Sequence, residues 1–507
     1  MNIAELIHGL PITLVRGSDS TIISDVVEDS RCATQGCLFV ARGGGRLNGV
    51  EFITEAVASG AVAVLLSRTA AADAPPPPTA SAAQRQVAVV VADDVPGVLG
   101  RLAERFHGNP GDRLRLVGVT GTNGKTTIAH LIQQTLTHAG VRAGLIGTVV
   151  LDDGRRVRPA ELTTPPALGI SRLLRSMVAN GCTAAVVEVS SHGLVQGRVA
   201  GLRFQAAVFT NLTGDHLDYH STRRAYGDAK AMLFASLGPD GWAIVNVDDP
   251  AAGRMVRDCP ARVLACSVTD PAADCFARSI RSRVGFTEAS LDGPWGSFAV
   301  RLPLVGEHNL SNALEAAAAC YALGLEPDAL PGALALATPP PGRLECVSGP
   351  DDAVSVVVDY AHSDDALAHA LRTLRPLMAD GRAPGRLRVV FGCGGDRDRS
   401  KRPRMGQVAA RLADELIVTS DNPRTEEPGA IIDQIISGIP ARRLADTTRL
   451  TCRREAITYA ITNSRPGDLV LIAGKGHETY QIIGTRRRPF DDRQVAAEAL
   501  ANLRGGC

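Results

Sequence analysis

An excess of charge of either sign is missing from this 507-residue chain: 54 lysines and arginines meet 53 aspartates and glutamates, for a formal net charge of +1. Without a global field nothing draws in nucleic acid or an acidic membrane, and neither is expected as a partner. Metal-type cysteine spacing is missing too. The eleven cysteines are scattered, with no CxxC pair, in mostly apolar surroundings such as Ala265-Cys266 and Ala319-Cys320, and they read as reduced thiols. No window reaches the ~18 uninterrupted apolar residues of a membrane span. The start, Met1-Asn-Ile-Ala-Glu-Leu6, lacks a basic segment followed by an apolar core, so a cytoplasmic protein is expected. Short solenoid repeats are absent. What is present, 45% hydrophobic and 21% charged residues, supplies a core for each of about three domains at this length.

The stretch Gly118-Val-Thr-Gly-Thr-Asn-Gly-Lys-Thr-Thr127 follows the apolar run Leu114–Val119 and precedes Ile128, Leu131, Ile132 and Leu136 at helical spacing. Strand, glycine-rich turn and helix in that order make a phosphate cradle: backbone N–H groups and the helix N-terminus face an anion, Lys125 reaches the outer phosphates, and the Thr126 hydroxyl can ligate Mg²⁺. Val119 stands where the usual motif has its first glycine, so this is a variant form. A glycine-rich turn with a chance Gly-Lys-Thr would bind nothing, but its strand and helix context speaks against that.

Turn formers at Phe106–Asp112 mark a first boundary near 110, and Thr338-Pro-Pro-Pro-Gly342 a second. Before the first lie β-like runs at Cys37–Ala41, Ala61–Leu66 and Val87–Val91, a glycine-rich loop at Gly43–Gly49, and the insertion Pro75–Pro78, which forbids helix and sheet pairing. Between the boundaries, runs at Gly144–Val150, Ala184–Val189, Ala206–Thr210 and Ala243–Val247 alternate with helical patterns. This argues for a doubly wound, mostly parallel α/β sheet with ligands at the C-terminal strand ends. Residues 270–305 look antiparallel, and beyond 342 a second α/β series runs through Val354–Asp359, Leu387–Phe391, Leu416–Thr419 and Asp468–Ala473.

At the end of the run 184–189, Glu188 is a natural second anchor for Mg²⁺, which wants hard oxygen ligands; a pairing with Arg198 is the plainer reading. Asp215, His216 and Asp218 cluster after the next run, where either a second metal or a structural corner could use them. Lys230, taken alone, reads as a solvated helical lysine.

Together these motifs resemble the Mur ligases, ATP-dependent amide-forming enzymes of peptidoglycan precursor synthesis. Gly121–Thr126, Glu188–His192, Asn211–Asp218, Tyr226–Lys230, Gly306–Asn312, Pro341–Leu344, Asp359–His362 and Gly474–Glu478 stand in family order over nearly the whole chain. Among the members the chain looks like the one that adds the third residue of the stem peptide. The resemblance implies a three-domain α/β fold: residues 1–110 for the UDP-linked substrate, 111–342 for ATP on a phosphate-binding loop, and a Rossmann-like 343–507 for the amino acid. It implies a carbamate, derived from CO₂, on Lys230. Lys230, Glu188 and His216 then bind one Mg²⁺ and Thr126 serves another, with Lys125, Lys230, Glu188 and His216 carrying the catalysis.

ATP, the co-substrate, is assigned to Gly121, Thr122, Asn123, Gly124, Lys125, Thr126 and Thr127, with Asn309 and Asn312 toward adenine and Arg343 and Asp359 from the C-terminal domain. UDP-MurNAc-L-Ala-D-Glu is assigned to Ser30, the loop Gly45–Leu47, Thr163, Thr164, Ser190, Gln196 and Arg198; hydroxyls and an arginine suit a diphosphate and a carboxylate. Glu28 and Leu162 depart from residues common in the family and weaken individual contacts. Asp421-Asn422-Pro423-Arg424 resembles the form that goes with meso-diaminopimelate: Arg424 and Arg397 grip its carboxylates, and Glu478, beside Gly474, pairs with its far ammonium. Taken alone, Asp-Asn-Pro-Arg is only a strand-capping turn. A monomer is expected. The same reaction with L-lysine, folylpolyglutamate synthesis, and a non-catalytic scaffold protein of plastid transcription complexes are the competing readings. Intact Lys125, Glu188, Lys230 and Asp421–Arg424, and the absence of a transit peptide, argue against the last.

Overall fold

The computed structural model describes residues 1–43, 48–73, 87–213, 217–349, 351–378 and 385–505. The loop Gly45–Leu47, the insertion Pro75–Pro78, Asp215, His216 and the side chain of Asp218 lie outside the described residues. The chain divides into two compact units, one of Met1–Ser267 with Glu315–Leu330 and one of Val268–Leu314 with Pro331–Cys507. Among the described residues no helix is long and apolar enough to cross a membrane.

The first unit holds two sheets. Strands β1 (Thr13–Arg16), β2 (Val26–Val27), β3 (Leu38–Ala41), β4 (Ala63–Ser67) and β5 (Ala88–Ala92) lie in the order β1-β5-β4-β3-β2, parallel apart from β1. Alternate residues enter separate cores: Leu38, Val40, Leu65 and Val90 one, Phe39, Ala41, Val64, Leu66 and Val91 the other. A parallel sheet covered on both faces needs such continuous apolar runs.

The second sheet continues with β6 (Arg115–Thr120), β7 (Ala143–Ile146), β8 (Val150–Asp152), β9 (Val157–Pro159), β10 (Ala184–Glu188), β11 (Phe204–Phe209), β12 (Trp242–Asn246) and β13 (Arg262–Ser267). Their order is β13-β12-β11-β6-β10-β7-β8-β9. The six strands from β13 to β7 are parallel, as expected of a doubly wound sheet. The run Gly144–Val150, expected to be one strand, is two: β7 stops at Ile146 and the chain reverses through Gly147 into antiparallel β8. A side chain at Gly147 has no room, because a Cβ there would lie 2.4 Å from Glu188 Oε1. Strand order reverses beside β6, whose C-terminal end is flanked by those of β10 and β11, with Glu188 level with Val119 and Phe209 with Thr120. Such a reversal opens the crevice where ligands of this fold class bind.

In the second unit, β14 (Cys275–Arg283), β15 (Phe286–Gly293) and β16 (Gly296–Leu302) form the antiparallel addition expected over 270–305. A further sheet comprises β17 (Glu345–Cys346), β18 (Ser355–Asp359), β19 (Leu387–Phe391), β20 (Glu415–Val418), β21 (Thr447–Arg449) and β22 (Leu469–Ala473). Its order is β17-β18-β22-β19-β20-β21, parallel apart from β17. The hairpin β23 (Tyr480–Ile483) and β24 (Arg486–Pro489) follows β22.

Candidate active site

In the first unit the loop Gly121–Gly124 leads from β6 into the helix Lys125–His138, whose Ile128, Leu131, Ile132 and Leu136 are buried. Gly121 has φ +145°, and a Cβ there would sit 1.9 Å from Thr210 Oγ1; Gly124, with φ +89°, caps the helix. Asn211, at the end of β11, braces the loop. Its carbonyl accepts from Thr122 N at 2.8 Å, its Oδ1 from Asn123 N at 3.0 Å, and its Nδ2 donates to Asn123 O at 3.1 Å. Lys125 Nζ donates to the Gly121 and Thr122 carbonyls, both at 2.9 Å.

Glu188 is fully buried and gathers the site. It accepts from Thr126 Oγ1 at 3.0 Å, from Thr148 N at 2.8 Å and from Thr148 Oγ1 at 2.8 Å. Its neighbour is thus the phosphate loop; Arg198 instead donates to Gln196 Oε1 and the Thr164 carbonyl. Lys230 corrects the solvated reading: it is 1% exposed, its Nζ donates to Gly121 O at 2.7 Å and lies 4.3 Å from the centre of the Tyr226 ring. The Tyr226 hydroxyl is 3.3 Å from Thr122 Oγ1. Loop, acid and lysine are therefore one cluster, while His216 lies outside the described residues.

A polar seam continues from Glu188. Thr148 Oγ1, whose hydrogen goes to Glu188, lies 3.1 Å from Thr163 Oγ1, and Thr164 Oγ1 donates to the Glu188 carbonyl at 2.7 Å and accepts from Ser190 N at 2.9 Å. Thr163, Thr164, Ser190, Gln196 and Arg198 are thus brought together. Burial, and after it Arg42, pulls Arg198 below the usual guanidinium value, with Glu28 acting against them. The unexpected Glu28 pairs with Arg42 at 2.8 Å, and burial raises its pKa against that pairing. Ser30 is not part of the seam; its hydroxyl donates to Glu55 Oε2 at 3.0 Å.

In the second unit the loops after β19, β20 and β22 carry the residues expected to hold an amino acid. The left-handed Arg424 (φ +52°) is held through its backbone, N–H to the Ile482 carbonyl and carbonyl to Gly484 N–H, while its Nη1 donates to Gly395 O at 2.7 Å. Asn422 Nδ2 donates to Glu478 Oε2 at 2.8 Å. Gly474, φ +119°, lies against Asp421, since a Cβ there would meet Asp421 Oδ2 at 2.7 Å. Arg397 is exposed. Glu478, expected to await an ammonium, already pairs with Lys475 at 2.9 Å. Elsewhere in this unit, half-buried Asp359 accepts from Leu344 N and Ala361 N, and desolvation raises its pKa, with Arg343 opposing. Asn309 Nδ2 donates to Val305 O, and its Oδ1 accepts from Asn312 Nδ2.

Comparison with known proteins decides the family. The Mur ligase middle domain model matches residues 119–320, and the Mur ligase, glutamate ligase domain model residues 342–476. A protein of Synechococcus elongatus named UDP-N-acetylmuramoyl-L-alanyl-D-glutamate--2,6-diaminopimelate ligase is 43% identical over 505 residues, 99% of each chain. One of the same name from Geobacillus kaustophilus is 42% identical over 506 residues, again 99% of each. The chain belongs to the Mur ligase family. A solved structure of a ligase of that name superposes with a TM-score of 0.72 at 34% identity over 99% of both chains. The MurF ligase of Thermotoga maritima in complex with ADP, at 20% identity and a TM-score of 0.59 over 95% of this chain and 97% of that one, shares the fold. This Mur ligase is an ATP-dependent, amide-forming enzyme.

Several residues that build these clusters escaped sequence reasoning. Asn211 and Lys475 lie inside quoted motifs without an assigned part. Thr148 could have been singled out as a hydroxyl just past β7, next to the strand-order reversal. Tyr226 precedes Lys230 by one helical turn, the spacing that stacks side chains on one face.

Proposed function

We propose that this Mur ligase joins meso-diaminopimelate to the D-glutamyl γ-carboxylate of UDP-MurNAc-L-Ala-D-Glu, converting ATP to ADP and phosphate. The observation that carries the choice of amino acid is the loop cluster of the second unit, where Arg424 and Glu478 offer a cation and an anion together. Meso-diaminopimelate ends in both a carboxylate and an ammonium. L-Lysine would leave Arg424 without its carboxylate, which is how a polar site rejects an analogue. The left-handed backbone of a non-glycine residue at Arg424 agrees with a functional position, because such strain persists where a ligand site is over-determined.

In the first step a γ-carboxylate oxygen bonds to the γ-phosphorus and the bond to the β-γ bridging oxygen breaks, releasing ADP. In the second, the diaminopimelate nitrogen, having lost a proton, bonds to the acyl carbon; the carbon–oxygen bond to phosphate breaks and phosphate leaves. No protein nucleophile is needed. Two anions must meet in the first step, so Lys125 and the backbone N–H groups of Gly121–Thr127 serve to hold the phosphates and stabilise the charge that develops. Thr163, Thr164, Ser190, Gln196 and Arg198 are assigned to the UDP-linked substrate, with Ser30 as a separate contact, and Asn309, Arg343 and Asp359 to the nucleotide.

The donor set fits Mg²⁺. The Thr126 hydroxyl and the Glu188 carboxylate are hard oxygens on adjacent elements, and Mg²⁺ binds through one or two carboxylates while keeping several waters. Among the described residues no three His, Cys, Asp or Glu side chains gather, so the second ion relies on His216 and a carbamate on Lys230 beside Glu188. Bound Mg²⁺ neutralises phosphate charge. The carbamate forms when the neutral Lys230 amine adds to CO₂ and loses a proton. The chain is proposed to act as a cytoplasmic monomer, with residues 1–110, 111–342 and 343–507 serving the UDP-linked substrate, ATP and the amino acid.

Phosphate release from ATP with UDP-MurNAc-L-Ala-D-Glu is to be measured with meso-diaminopimelate and L-lysine in parallel. Release with diaminopimelate is expected. No release with either amino acid sinks the ligase reading, and preference for lysine sinks the role of Arg424.

A further inference from the structure

We infer that Lys475 is a specificity-determining positioning residue: its buried ammonium keeps the amino-acid pocket electrically balanced and so excludes a side chain that ends in a lone cation. The inference rests on the proposed reaction with meso-diaminopimelate and adds to it a group that touches Glu478 and Asn422.

Lys475 follows Gly474 at the end of β22 and has no exposed surface. Its Nζ donates to Glu478 Oε2 at 2.9 Å and to Asn422 Oδ1 at 3.2 Å, with the Tyr480 ring centre 5.6 Å away. Both acceptors are fixed from a second side. Glu478 Oε2 also accepts from Asn422 Nδ2 at 2.8 Å, and Asn422 Oδ1 accepts from Ile482 N at 2.9 Å. One oxygen of Glu478 is thereby engaged twice inside the protein, and the substrate's ammonium is left Oε1.

The charges around this point cancel. Arg453 and Asp492, both fully buried, pair with each other at 2.7 Å. Arg343 stands against Asp359, and Arg397 and Arg487 are exposed to solvent. Among the remaining groups, Lys475 and Arg424 stand against Glu478 and Asp421, two of each sign. The far end of meso-diaminopimelate is a zwitterion and preserves the balance. The far end of L-lysine adds one positive charge in a buried place, and an uncompensated buried charge is costly. Without Lys475 the same pocket carries a net negative charge and welcomes a lone ammonium, while Glu478 and Asn422 lose the group that holds them.

The test compares kcat/KM for meso-diaminopimelate and for L-lysine, by ATP-dependent phosphate release, in the wild type, Lys475→Met and Lys475→Arg. In Lys475→Met the diaminopimelate-to-lysine ratio should fall by about thirtyfold or more, the scale for truncating one partner of a buried charge pair, chiefly through opposite changes in the two KM values. Lys475→Arg keeps the charge and should keep the preference. The double variant Lys475→Met/Glu478→Gln removes both charges, so it also tests the idea if the single variant does not fold; its preference should return toward wild type at lower affinity. A ratio that does not move in Lys475→Met, or a loss of kcat with both amino acids alike, would show a merely structural lysine and overturn the inference. A double variant that still prefers lysine overturns it as well. Wild-type protein that releases no phosphate with diaminopimelate brings down the proposed function itself, and the inference with it.

Discussion

Glu188→Gln separates a chemical role for this acid from a structural one, because the substitution keeps size and removes only charge. Glu188 receives three donors: Thr148 N–H on Oε1, and the Thr126 and Thr148 hydroxyls on Oε2. A glutamine can turn its oxygen toward Thr148 N and its NH₂ toward the two hydroxyls, which rotate to accept. Every hydrogen bond then survives in neutral form, and the loss of charge assistance costs about 1 kcal/mol of stability. Turnover should suffer far more. Losing the anchor of an ion that neutralises charge at the reacting phosphate should cost about 10²–10³ in kcat, so the variant should melt close to wild type and barely turn over. Phosphate release at saturating substrates, paired with a thermal melt, reads both numbers from one preparation. The Mg²⁺ concentration for half-maximal rate should rise as well. A folded Glu188→Gln protein with near-wild-type turnover and unchanged Mg²⁺ requirement would refute the assignment.

Lys230→Ala removes the bond to the Gly121 carbonyl and the proposed site of the carbamate; turnover should vanish and excess bicarbonate should not restore it, and near-normal activity would refute the carbamate. Gly121→Ala puts a methyl 1.9 Å from Thr210 Oγ1 at a backbone angle that side chains avoid. Nucleotide affinity, measured by calorimetry, should fall by about tenfold or more, as expected where strain falls on a phosphate loop; unchanged affinity would mean that the loop does not hold ATP. Glu426 answers to pH. Its carboxylate is pushed down to about 2, first by hydrogen bonds from Arg402 and then by that of Asp396 N. A depressed folded value means that the stabilisation is complete above the ordinary value of 4.5 and is lost as pH falls from there toward 2. Glu426→Gln should therefore cost about 3 kcal/mol at neutral pH, since it leaves the fully buried Arg402 guanidinium without its carboxylate. Denaturant titration should show the gap to wild type closing through the same pH window; a gap independent of pH would disprove the pairing.

The residues of the phosphate loop and the parallel strands around it were legible in the chain because their signals are local. Periodicity marks the strands, glycines mark a turn that only they can make, and Lys125 and Thr126 follow at fixed spacing. Gly144–Val150 misled for the reverse reason: its apolar pattern does not show that Glu188, from a strand formed later in the chain, fills the space beside Gly147. Lys230 is the sharpest case. Its helix and its apolar neighbours are plain, yet a lysine reads as solvated until the Gly121 carbonyl and the Tyr226 ring enclose it.

The sequence by itself determined the elements, their parallel alternation and the chemical kinds of group at the strand ends. Only the tertiary structure decided partners: Glu188 with Thr126 and Thr148 rather than with Arg198, Asn211 as the brace of the phosphate loop, Lys475 against Glu478. Secondary structure follows from interactions between residues close in the chain, whereas burial and ion pairing depend on which distant backbone a side chain meets. Strand order sets that meeting, and in this sheet it places Glu188 and Asn211 on either side of β6, 62 or more residues from the loop they serve.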